Sequence, residues 1–186
     1  MSPILGIWAS GAQPAANAGS FESIATVTVG SGGASSMEFT SIPSTYTHLQ
    51  IRMLGRKAGS NDNANFQFNS DTGSNYAWHY FAGDGSSVFA GSLANASNSV
   101  FAVIPISTDT ANCFGGIILD ILDYANTNKY KTTRSLSGND RNGSGGFFML
   151  SGLWRSTSAI TSIKINAPTS DFAQYTTAAL YGIKSA

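Results

Sequence analysis

A chain of 186 residues with 42% hydrophobic side chains has the size of one domain and enough apolar material for a core of its own. Only 11% of its residues are charged, against about 25% in an ordinary domain, and ten basic side chains cancel ten acidic ones. That balance excludes the concentrated basic face a nucleic-acid partner requires, and no apolar run approaches the roughly 18 residues of a membrane-spanning helix.

What solvates the surface is Ser, Thr, Asn and Gly rather than charge. Such a surface is poorly protected against self-association, which suits a protein whose working state is an assembly. The single cysteine, Cys113, permits no intramolecular disulfide and reads as a small buried hydrophobe. Arg52, Arg56 and Lys57 form the one basic cluster and read as a solvated strand end.

In chain order, the first segment is apolar but short. It lacks the basic region of a signal peptide. Ile4, Leu5, Ile7 and Trp8 are followed by an Ala-, Gly- and Asn-rich stretch up to Ser20. Residues 1–20 are therefore expected to be an arm on a tether, with residues 21–186 as the folded domain. Its large apolar side chains need cover. The arm either folds back as an edge strand or, the favoured reading, docks on a neighbouring subunit or shell.

From Ser23 onward the period is two. Leu49, Ile51 and Met53 share one face and His48, Gln50 and Arg52 the other, the pattern of a half-buried antiparallel strand. Ala25–Val29, Asn65–Asn69, Ile163–Ile165 and Thr177–Ile183 alternate in the same way. Ser99–Ile106, Ile117–Leu122 and Phe147–Trp154 are apolar on both faces and read as central strands. Gly30–Gly33, Gly59–Asn63, Gly83–Gly85 and Ser137–Gly146 supply turns, because Gly and Asn tolerate positive φ and Asx side chains bond their own backbone. About ten strands, no helix of ordinary length and one short turn at Ser170–Tyr175 predict an all-β antiparallel sandwich, jelly-roll-like in topology.

Catalytic chemistry finds little support. Asp120 and Asp123 are the best-placed carboxylate pair for glycoside hydrolysis, but three residues apart on a strand they face opposite ways, and a structural role for Asp120 beside Tyr or Arg is favoured. His48 and His79 are too few for a histidine-rich metal site; His48 is expected to hydrogen-bond on a polar face. The loop Asn69–Asn75 has oxygens at alternate positions but no bidentate Glu, so an Asx turn is expected rather than a calcium loop. Gly143–Gly146 does not lead a strand into a helix, which argues against a phosphate cradle. No enzyme activity, cofactor or metal is expected. The aromatic strand around Tyr76, Trp78, His79 and Tyr80 is the candidate interface or ligand-stacking surface.

Several stretches carry a resemblance: Phe21–Val29, Met37–Pro43, Tyr46–Arg52, Phe66–Thr72 with Asn75 and Tyr76, Leu153–Ile163, and the closing Leu180–Lys184. Together, with the start Pro3–Ile7, they are similar to a broad group of virion structural proteins of tailed bacteriophages. The resemblance spans nearly the whole chain and brings no catalytic or ligand residues with it. It implies a non-enzymatic structural protein on the outer surface of a virion, working as a homotrimer beside capsid or tail proteins, with neither nucleic acid nor membrane as partner. Small size and the lack of a shaft segment favour a capsid decoration protein. The alternative is a tail fibre, baseplate or receptor-binding protein contacting host glycans.

Overall fold

The computed structural model describes residues 20–184, so the arm residues Ile4, Leu5, Ile7 and Trp8 lie outside the described part. Twelve strands and no helix occur among the described residues. They are β1 (Phe21–Thr28), β2 (Ser36–Phe39), β3 (His48–Gly55), β4 (Asn63–Phe68), β5 (Tyr76–Gly83), β6 (Val88–Ala96), β7 (Ser99–Val103), β8 (Gly115–Leu122), β9 (Lys131–Asp140), β10 (Gly145–Trp154), β11 (Ile163–Asn166) and β12 (Thr177–Ile183). All pairings are antiparallel.

An eight-stranded sheet runs β1-β12-β3-β8-β9-β10-β5-β6 and a four-stranded sheet runs β2-β11-β4-β7. Without β5, β6, β9 and β10, eight strands remain, ordered β1-β12-β3-β8 and β2-β11-β4-β7, and the chain changes sheet at every step except from β4 to β7, which are neighbours in the small sheet. That is a jelly roll, two interleaved Greek keys in a sandwich. The hairpins β5–β6 and β9–β10 are insertions in it. They pair with each other through β10 and β5 and widen only the large sheet.

The core lies between the sheets. Leu49, Ile51 and Met53 of β3, Leu119 and Ile121 of β8, and Leu180 of β12 face Met37, Phe39, Phe66, Phe68, Ile163 and Ile165 of the small sheet. The period-two reading of β3 thus assigns its buried face correctly. Each such side chain contributes about 1.5–3 kcal/mol by leaving water. At one end the core is aromatic: the Trp154 ring stacks on Tyr76 with centroids 6.4 Å apart and meets Phe68 edge-on at 5.5 Å.

The polar atoms of this aromatic group are all engaged. The Tyr76 hydroxyl accepts the Phe68 amide at 2.9 Å, and Trp154 Nε1 donates to Asp71 Oδ2 at 2.7 Å. The Gly73 amide and the Asn75 side chain also donate to Asp71, at 2.8 and 2.9 Å. The loop at Asn69–Asn75 is therefore an Asx turn whose carboxylate is spent on internal donors. Burial opposes ionisation of Asp71, but the bonds from Trp154, Asn75 and Gly73 outweigh it and hold its carboxyl below the ordinary 3.8. Asp123 is lowered too, by the ammonium of Lys129. A folded-state pKa below the unfolded value adds stability above the unfolded pKa, and that stability is lost as pH falls through the folded one. The melting temperature is expected to stay level from pH 7 to about 5 and drop below about 4, the unfolded aspartate value. Asp71→Asn should flatten that acid limb; an unchanged limb in thermal melts would refute the assignment.

Three expectations are corrected. The Arg52–Lys57 cluster is a solvated strand end only at Arg52, which is exposed on β3: Lys57 is wholly buried, and its ammonium donates to Asn61 Oδ1, Asn63 O and Pro168 O at 3.3, 3.2 and 2.6 Å. Arg56 donates to the carbonyls of Thr110, Cys113 and Asp109. These cations gather loop carbonyls that the sheets leave over. Cys113 is half-buried rather than buried, its thiol donating to Asp140 O at 2.8 Å. The third correction is β7, the edge of the small sheet rather than a central strand. Its carbonyls at Phe101 and Val103 are taken by Ser135 Oγ at 2.7 Å and Asn139 Nδ2 at 3.3 Å from β9, which explains why the buried face of β9 is polar.

Candidate functional site

The small sheet is four strands wide and the large one eight, so part of the large sheet is left over. Its inner face projects beyond β7 at β5 and β6, and its entire outer face has no second layer among the described residues. These are the two candidate surfaces.

On the outer face, register aligns an apolar stripe. One row runs Ile118, Leu136, Met149, Phe81 and Ala90 on β8, β9, β10, β5 and β6. The next runs Leu54, Gly116, Gly138, Phe147, Gly83 and Val88. Met149 is 51% exposed, Phe81 53% and Val88 71%. The glycines of the second row leave a trough on one side of Ile118, of about 680 Å³, where Leu54, Leu136 and Phe147 meet. A second depression of about 730 Å³ lies among Ile118, Leu136, Met149 and Phe81.

A polar row borders the stripe: Gln50, Asp120, Arg134, Ser151 and His79. Asp120 accepts Gln50 Nε2 at 2.8 Å and Arg134 Nε at 2.9 Å. Asp123 is not on the strand at all; it sits in the turn after β8 with φ of 48° and pairs with Lys129. Its amide donates to His48 Nδ1 at 2.9 Å. Both carboxylates are held by cations on separate elements.

On the inner face, the aromatic strand divides as alternation requires. Tyr76 is fully buried in the core, so the expectation that it serves an interface or a ligand is corrected. His79 is exposed on the outer face, in the polar row. Trp78 and Tyr80 share the inner face, their rings 5.9 Å apart, and line a cleft of about 300 Å³. The other aromatic walls are Phe148 of β10 and Phe89 of β6, whose rings meet edge-on at 6.2 Å. Val100 and Val103 of β7, with Asp62 and Asn63, close the far side. Gly91 stands opposite Tyr80 on β6, and a Cβ there would lie 2.6 Å from the tyrosine ring. The bare strand is what lets the ring lie flat.

No family model matches the chain, and it has no match among curated proteins or solved structures.

Sequence reasoning found Trp78 and Tyr80 but missed Phe89, Phe148, Asp62 and the whole outer stripe. Ile117–Leu122 and Phe147–Trp154 are apolar on both faces because one face is core and the other is bare. The doubly apolar pattern carried that signal, although it reads equally as double burial.

Proposed function

We propose that the protein is a non-enzymatic structural subunit on the outer surface of a tailed-phage virion, a capsid decoration protein that works as an assembly of copies. The observation that carries this reading is the apolar stripe on the outer face of the large sheet. A monomer working alone in water rarely keeps so many large hydrophobic side chains contiguous and bare, whereas a subunit packed against its neighbours buries them. The low charge content agrees, since few ions need be desolvated on contact. The segments resembling phage virion proteins supply the biological setting. Asp120 is committed to Gln50 and Arg134, which supports a structural rather than a hydrolytic use of it.

The test is gold-labelled antibody on intact phage particles. Label spread over the heads is the expected result; label confined to tails, or particles without label, would overturn the decoration reading.

A further inference from the structure

The inner-face cleft has a chemistry that assembly does not call for. Four aromatic rings line it, yet its polar side chains make no hydrogen bonds, although the Asp62 charge also acts on the buried Lys57 ammonium and favours its protonated form. Among the described residues no hydrogen bond engages the Trp78 indole N–H, the Tyr80 hydroxyl, the Asp62 carboxylate or the Asn63 side-chain amide. The core behaves oppositely: Tyr76, Trp154 and Tyr124 all spend their polar atoms on partners. Large aromatic side chains with unspent donors, half-open to water, are the composition of a site that meets a partner both apolar and polar.

We propose that this cleft binds a carbohydrate. A pyranose ring presents a C–H face and a rim of hydroxyls. The face suits the rings of Trp78 and Tyr80, and the rim suits a carboxylate and an amide. Both polar residues sit on a firm support, because Lys57, wholly buried, binds Asn61 Oδ1 and the carbonyl of Asn63 on either side of Asp62. The aromatic wall is equally prepared, with Tyr80 laid over Gly91 and Phe148 over Gly146, where an added Cβ would come within 2.8 Å of the phenylalanine ring. A cleft of about 300 Å³ holds a short glycan end rather than a long chain. The observations behind this inference are on the opposite face from the stripe, so it stands independently of where on a particle the protein resides.

The experiment is a printed array of bacterial-surface oligosaccharides probed with the full chain, followed by calorimetry on the strongest oligosaccharide. The native protein is expected to bind a defined subset. Trp78→Ala should weaken binding at least about tenfold, through loss of one stacking contact. Gly91→Val, which drives the Tyr80 ring off the strand without touching the core, should weaken it as well, and guards against a folding defect in the first variant. An array without binding would overturn the proposal. So would undiminished affinity in folded Trp78→Ala, or preference for a hydrophobic peptide over every sugar.

Discussion

Trp154→Ala is expected to lower the free energy of unfolding by about 3–5 kcal/mol, the range for deleting a large aromatic from a packed core. Trp154 is 2% exposed and touches both Phe68 and Tyr76, so the deletion opens a cavity at the aromatic end of the sandwich. It also strips the donor at 2.7 Å from Asp71, leaving a half-buried carboxylate with Gly73 and Asn75 alone. Domains are stable by only about 5–15 kcal/mol, so the variant sits near the edge of folding. Urea unfolding of native protein, Trp154→Ala and Trp154→Phe separates the contributions. The phenylalanine should recover most of the packing but not the Asp71 bond, and fall between the other two. A loss under about 1 kcal/mol for the alanine variant would be typical of a surface position and would contradict this packing.

The second large effect concerns association rather than folding. Leu136 and Met149 are directly paired across β9 and β10 on the bare outer face. In Leu136→Lys/Met149→Glu, the new side chains oppose each other and form a cross-strand ion pair worth about 0.2–1 kcal/mol. Both positions are exposed, so the isolated domain should melt as before. Packed against another copy, the same pair must leave water, at several kcal/mol per ion. Sedimentation velocity should show native protein as an oligomer and the double variant as a monomer over the same concentrations. Native protein that stays monomeric into the hundred-micromolar range would remove the stripe as a contact between copies.

The strands with a clean inside and outside were legible. Leu49, Ile51 and Met53 alternate with polar residues, and a period of two needs no tertiary information. The strands that were missed have no such contrast. β6 is Val-Phe-Ala-Gly-Ser-Leu-Ala-Asn-Ala, exposed along nearly its whole length, so nothing sorts its residues into faces. β9 buries Thr133, Ser135 and Ser137, because the neighbour beneath them is the carbonyl-bearing edge of β7 rather than a hydrophobic layer. Its second half, Ser137–Asp140, resembles a turn in composition and is a strand by virtue of β8 and β10 on either side. The cleft was legible only in part. Trp78 and Tyr80 lie on one strand, whereas Phe89, Phe148 and Asp62 come from three other segments that only the fold joins.

The attachment of the β5–β6 hairpin also sets a hierarchy of motion. β6 pairs only with β5, and β5 reaches the rest of the sheet only through β10. Strands such as β3 and β8 are paired on both sides and packed on the small sheet, while this ribbon is secured along a single seam. Local opening therefore proceeds from β6 inward, and its amides exchange with solvent ahead of those in β3 or β8. Since Phe89 and Gly91 belong to β6, the aromatic wall of the cleft takes its shape from the least protected strand of the sheet. Whatever settles there must also slow the exchange of those amides, as binding to the closed form alone requires.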